Sequence, residues 1–143
     1  MFDVVVIGAG VVGGFVAREL TKYKLKVLIL ERMSDVAMGA TRANSAIVHA
    51  GFDAKPGTLK ARLNVRGSEL MEDYAYELGV KYNRCGSLVV GFNETDRQTL
   101  SELMARGEAN GAKELYLLGT REEVLPELLG HSSACPTLLQ KLT

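Results

Sequence analysis

Residues 4–20, VVVIGAGVVGGFVAREL, set a run of β-branched residues directly against three glycines spaced G-x-G-x-x-G. No other feature constrains the fold of this chain as strongly. FDVVVI (2–7) is too short for a helix and is stopped at once by glycine, so it reads as a buried strand. From Val11 to Tyr23, the apolar residues Val12, Phe15, Val16, Leu20 and Tyr23 recur at helical spacing, with Arg18, Glu19 and Lys22 on the other side. KVLILE (26–31) is a second apolar strand ending in an acid. The glycines therefore occupy the first turn of a β-α-β unit, and the chain reads as α/β with a parallel sheet.

Each glycine in that turn has a physical task. Gly8 makes the tight turn off the strand, Gly10 lets main chain approach a pyrophosphate, and Gly13 lets the helix pack closely on the sheet. Ala9, Val11 and Val12 complete the same turn. Unpaired N–H groups and the positive end of the helix dipole hold two negative charges there, so the lack of Lys or Arg in the loop is no objection. Glu31 stands eighteen residues beyond Gly13, where a carboxylate accepts the hydroxyls of an unphosphorylated ribose. These residues suit either NAD or FAD.

Composition narrows the partners. The chain has 143 residues, 47% hydrophobic and 24% charged, which is about one soluble domain with a real core. Seventeen basic residues balance seventeen acidic ones, so nothing points to nucleic acid or an anionic membrane surface. Cys85 and Cys135 lack Cys or His neighbours at metal-ligand spacing, which predicts reduced thiols, no metal site and a cytoplasmic location. Phe2–Ile7 is far shorter than a membrane span and follows no basic segment, so neither a signal peptide nor a membrane span is expected.

GATRANSAIVHAGFDAKPGTLKARL (39–63) places small and polar residues where a simple NAD-binding domain returns to helix and strand. Backbone N–H groups and the side chains of Thr41, Arg42, Asn44 and Ser45 suit the far side of a pyrophosphate. With the glycine turn, Ala17 and Leu20 on its helix, and the Glu31-Arg32 pair, this segment resembles the N-terminal part of FAD-dependent oxidoreductases of the D-amino-acid oxidase superfamily. Within it, the likeness is to the branch of glycerol-3-phosphate dehydrogenases and 2-hydroxyglutarate oxidases, which carry a similar N-S-G-x-I-H-A-G segment. Ala46 stands where that segment commonly has glycine.

The resemblance covers residues 1 to about 128 and implies a Rossmann-like βαβ FAD-binding domain with the beginning of an inserted α+β substrate domain. It makes Gly8, Gly10 and Gly13 phosphate-facing, Glu31 the ribose acceptor and Arg32 a neighbour of the adenosine. It brings Thr41, Arg42, Asn44 and Ser45 toward the pyrophosphate and ribityl chain, and lays Val48, His49, Ala50 and Gly51 along the isoalloxazine. His49 is then either a base or orienting donor for a substrate hydroxyl, or a histidine that only bonds the flavin or nearby backbone. The implied reaction is oxidation of a secondary alcohol in a small acidic metabolite, such as glycerol 3-phosphate or a 2-hydroxy acid. An NAD(P)-binding module and a non-catalytic truncated subunit remain as alternatives.

Beyond the loop, Thr58 to Leu78 reads as a helix with Leu59, Leu63, Leu70 and Met71 among its apolar positions, followed by one or two strands in 79–92. Tyr74, Tyr76 and Tyr82 are expected to pack. Glu94–Asn110 is a helix with Asn93 as N-cap and Gly111 closing it, and ELYLLG (114–119) is a short strand. Thr120 over Glu123 has capping-box spacing ahead of Pro126. We expect residues 1–78 to be the Rossmann-like portion, 79–128 the start of the substrate domain and 129–143 an atypical tail, loosely packed, with His131 and Cys135 carrying no site. Because the superfamily's chains run much longer, this one is expected to be an N-terminal fragment or truncated product that self-associates or meets the remainder of the oxidoreductase.

Overall fold

The computed structural model describes residues 1–119, 122, 123 and, for the backbone alone, 137–141. Thr120, Pro126, His131 and Cys135 lie outside the described residues. The chain divides into two compact units, Met1–Ile47 and Val48–Thr143.

The first unit is the β-α-β expected from the sequence, except that its first strand is not buried, with Val5 47% and Ile7 87% exposed. β1 (Val4–Ile7), α1 (Val11–Leu20) and β2 (Val27–Leu30) follow in order, and β1 pairs parallel with β2 in the register Val4 to Val27 through Ile7 to Leu30. Main-chain bonds extend the pairing at both ends: the Asp3 N–H donates to Lys26 O and the Gly8 N–H to Leu30 O. α1 stops at Leu20, short of the expected Tyr23. Thr21 caps it, and the hydroxyl of Thr21 donates to Arg18 O at 2.7 Å. Its apolar stripe is only partly covered: Ala17 is buried, whereas Val12 is 75% and Tyr23 66% exposed. Two strands offer α1 too little sheet to cover its whole face.

The second unit contains α2 (Leu59–Glu77), β3 (Ser87–Gly91), α3 (Glu94–Asn110), β4 (Leu115–Leu118) and β5 (Thr137–Lys141). α2 begins where the Thr58 hydroxyl accepts the Ala61 N–H, and α3 where the Asn93 side chain accepts the Asp96 N–H. Gly111, left-handed at φ 77, closes α3 as expected. The three strands form a parallel sheet in the order β3-β5-β4. The core here centres on Ala54, Ala61, Ala75 and Leu100.

One strand, β3, forms in 79–92, within the one or two expected. Of the apolar positions of α2, Leu59 and Leu63 are 60% and 56% exposed, since the covered face of the helix runs through Ala61 and Ala75. Other expectations need correction. Tyr76 is 89% exposed and does not pack, while Tyr74 and Tyr82 are half-buried. The loosely packed tail does not hold for Thr137–Lys141, whose backbone pairs on both sides in the second sheet. Glu123 accepts the Gly119 N–H at 2.8 Å, and the capping expected at Thr120 lies outside the described residues.

Candidate functional site

The glycine turn and its surroundings form an open cavity of about 620 Å3 in the first unit. Val6, Ile7, Gly8, Gly10, Val11, Val12, Gly13, Val16, Ala40, Thr41 and Asn44 line it. Gly8 adopts φ 101, a left-handed conformation that side chains rarely accept, and so turns the chain off β1. A Cβ on Gly13 would lie 2.0 Å from Gly8 O and 3.4 Å from Val6 Cγ1. α1 can approach the strand this closely only with glycine there.

Side chains from distant segments finish the turn. Gly10 is the N-cap of α1 and offers no capping side chain. The hydroxyl of Thr41 takes that role from thirty residues away, accepting the Val11 N–H at 3.0 Å. A Cβ on Gly10 would meet the same hydroxyl at 3.1 Å. The N–H groups of Val12 and Gly13 have no partner among the described residues, whereas that of Gly14 donates to Gly10 O. Two first-turn donors and the positive end of the helix dipole thus suit an anion with closely spaced negative oxygens.

Glu31 binds the same turn from the end of β2. Its Oε2 accepts the Ala9 N–H at 2.8 Å and its Oε1 the Met33 N–H at 3.0 Å. These bonds, chiefly that from Ala9, hold its carboxyl below the usual carboxylate range, with the Arg32 N–H and guanidinium adding to the effect and partial desolvation opposing it. Each oxygen retains a second lone pair for a ribose hydroxyl. Ala9 is held from its other side too, since Ala37, left-handed at φ 60, donates its N–H to Ala9 O.

The loop beyond folds on itself. Asn44 donates its amide to Thr41 O and accepts the Ala46 N–H at 2.6 Å on Oδ1. Arg42 is exposed and reaches the Met38 sulfur at 3.7 Å; Ser45 and Arg32 are also exposed. Ala46 adopts φ 54, the left-handed region where glycine is free. The first unit therefore brings together Gly8, Ala9, Gly10, Val11, Val12, Gly13, Glu31, Thr41 and Asn44. Val48, His49, Ala50 and Gly51 belong to the second unit, where His49 is exposed and Gly51 buried.

Sequence reasoning expected Thr41 and Glu31 near a ligand without foreseeing that each also braces the glycine turn. Threonine thirty residues from an uncapped helix start carries no spacing signal. Among the described residues no group of His, Cys, Asp and Glu is arranged to hold a metal, and no helix is long and apolar enough to cross a membrane.

Comparison with known proteins adds a family. The family described as FAD dependent oxidoreductase (DAO) matches residues 3–136. Over 125 residues, 87% of the chain, the sequence is 50% identical to a glycerol 3-phosphate dehydrogenase of Caloramator mitchellensis, covering 26% of that protein. It is 39% identical over 127 residues to a mitochondrial L-2-hydroxyglutarate dehydrogenase of Dictyostelium discoideum, covering 28% of it. Among solved structures, the dithionite-reduced L-α-glycerophosphate oxidase of Mycoplasma pneumoniae with FAD bound is similar, with TM-score 0.64 and 35% identity, covering 76% of this chain and 29% of that one. The chain thus spans between a quarter and a third of the length of these relatives.

Proposed function

The chain belongs to the FAD dependent oxidoreductase (DAO) family, and on that premise we propose that it carries the ADP-binding part of an FAD-dependent dehydrogenase or oxidase. The observation that carries this reading is the cavity at the start of α1, whose glycine turn Glu31 binds through the Ala9 N–H. The residues present fit the cofactor: the glycines admit a pyrophosphate, Val12 and Gly13 offer N–H donors, and Thr41 and Asn44 supply polar groups on the facing side. Glu31 is proposed to accept the ribose hydroxyls, and Arg32, Arg42 and Ser45 to line the adenosine and ribityl parts. Val48, His49, Ala50 and Gly51 are proposed to lie along the flavin ring. The family favours FAD over an NAD(P)-binding module.

The proposed substrate is a secondary alcohol of a small acidic metabolite, glycerol 3-phosphate or a 2-hydroxy acid, as the names of the relatives suggest. FAD, when bound, supplies the acceptor for the hydride leaving the carbinol carbon. His49, an exposed imidazole, is proposed to take the hydroxyl proton, so that the alcohol loses hydride and proton together and becomes a ketone. Residues 1–78 are proposed as cofactor-side and 79–128 as the opening of a substrate domain, with 129–143 an atypical tail. Cys85 is exposed, and a reducing, cytoplasmic setting is proposed. The exposed Val5, Ile7 and Leu30 on the first sheet make self-association, or cover by further sheet, the proposed fate of that surface.

The test is anaerobic addition of glycerol 3-phosphate or L-2-hydroxyglutarate to protein saturated with FAD, with and without His49→Gln. Bleaching of the flavin band by one of them, slowed by about a hundredfold or more in His49→Gln, is the expected result. Flavin that binds but is bleached by neither alcohol contradicts the proposed reaction. Bleaching that His49→Gln leaves unchanged removes His49 from it.

A further inference from the structure

We infer that Asn110 is a positioning residue for the flavin-side segment: its amide clamps the Gly51–Ala54 turn to the end of α3 and so fixes the backbone that carries His49. The inference rests on the proposed placement of Val48–Gly51 along the ring.

The turn has no ladder of its own. Residues 48–58 form neither helix nor strand, so the carbonyls of the turn need partners from elsewhere. Three bonds come from two side chains near the C-terminal end of α3. Asn110 Nδ2 donates to Gly51 O at 2.9 Å and to Ala54 O at 2.7 Å, and Arg106 Nη1 donates to Asp53 O at 3.1 Å. A carboxamide nitrogen, with two hydrogens on one atom, can bridge two carbonyls of one turn.

Packing closes the turn from both sides. Gly51 is buried at φ 102, and a Cβ there would lie 2.5 Å from Val65 Cγ2 on α2. On the other side, a Cβ on Gly107 would lie 3.0 Å from Phe52 Cβ and 2.4 Å from Leu115 Cδ1. Ala54 is 3% exposed. The turn is therefore held where two helices approach as closely as glycine allows.

The other end of Asn110 shows which end matters. Its Oδ1 is buried and has no hydrogen-bond partner among the described residues. A buried amide oxygen without a donor is unfavourable, and the two donations from Nδ2 are what offsets it. Within two residues of Gly51, His49 stays exposed, so the clamp sets where its backbone stands while leaving the imidazole accessible.

The experiment compares the full chain at saturating FAD with Asn110→Asp, Asn110→Gln and Leu100→Ala. Asn110→Asp keeps the shape but turns two donors into acceptors facing carbonyls; Asn110→Gln keeps the NH2 group. Leu100→Ala weakens α3 at a residue 2% exposed and removes none of the turn's hydrogen bonds. Amide exchange over residues 50–55 and the visible flavin band are read together. In Asn110→Asp, exchange there should rise at least about tenfold with a shifted flavin band, Asn110→Gln should recover part of both, and Leu100→Ala should leave the band in place. Unchanged exchange in both Asn110 variants overturns the clamp. Equal band shifts in Leu100→Ala and the Asn110 variants overturn a positioning role. Faster exchange with bound FAD and an unmoved band overturns the placement of Val48–Gly51 along the ring. Should Asn110→Asp not fold, Asn110→Ala, which removes both donations, takes its place under the same readouts.

Discussion

Glu31 Oε2 accepts the Ala9 N–H at 2.8 Å, joining the end of β2 to the turn after β1 across 22 residues. The residue proposed to hold the ribose thus also shapes the loop proposed to hold the phosphates. Glu31→Ala should therefore weaken FAD binding by more than a ribose contact alone, roughly tenfold or beyond, because the turn loosens as well. A fluorescence titration with FAD, repeated with free ADP, checks this.

The same bond predicts a pH dependence. Because the Ala9 and Met33 N–H groups hold the Glu31 carboxyl below its ordinary range, its contribution to stability is full above the unfolded carboxylate pKa. It is lost as pH falls through the lower folded value. Thermal melts between about pH 6 and pH 3 should show a steeper acid decline in the wild type than in Glu31→Gln. Glu19, held down chiefly by Lys22, and Glu69, held down chiefly by Lys113, leave a residual slope in both proteins.

Two glycines in one turn should respond differently. Gly13→Ala gains about 1 kcal/mol of helix propensity. Its Cβ would stand 2.0 Å from the Gly8 carbonyl oxygen, a backbone atom that can move only with the strand, and such overpacking costs about 1–3 kcal/mol or more. The loss should win in urea unfolding. At Gly10 the nearest atom to an added Cβ is the Thr41 hydroxyl, at the end of a movable side chain. Gly10→Val should keep most of the fold and lose FAD.

Thr41→Val removes the hydroxyl that caps α1 while preserving side-chain shape. About 1 kcal/mol of stability should go with it, as for loss of other helix caps. FAD affinity should fall with it, and Thr41→Ser should restore both in the same unfolding and titration assays.

The β-α-β unit and the task of Gly13 could be read from the sequence because strand, turn and helix are local patterns. Parallel pairing of Val4–Ile7 with Val27–Leu30 follows once a helix joins two apolar runs. The braces could not be read: Thr41 to Val11, Glu31 to Ala9 and Asn110 to Gly51 are side-chain-to-backbone bonds between distant segments, and no periodicity encodes them. Exposure failed for a related reason. The spacing of Leu59 and Leu63 defines a face of α2 without saying whether another element covers it.

Ala46 illustrates how one substitution can be legible only with both sources. The sequence shows alanine where related segments carry glycine, and the structure puts that residue at φ 54. Left-handed backbone costs alanine about 1–2 kcal/mol, whereas glycine gives up about 0.4–1 kcal/mol through the freer unfolded chain. Ala46→Gly should accordingly stabilise the first unit by a few tenths to about 1 kcal/mol, read from the urea midpoint.

The central claim is that the turn from Gly8 to Gly13 holds the pyrophosphate of FAD, and amide chemical shifts test it most directly. Titrating the isotope-labelled chain with FAD to millimolar concentration should move the amides of Ala9, Val12 and Gly13 most, with Thr41 and Met33 following, and free ADP should reproduce most of the pattern. Shifts confined to other segments, or none in this turn at saturating FAD, would contradict the account.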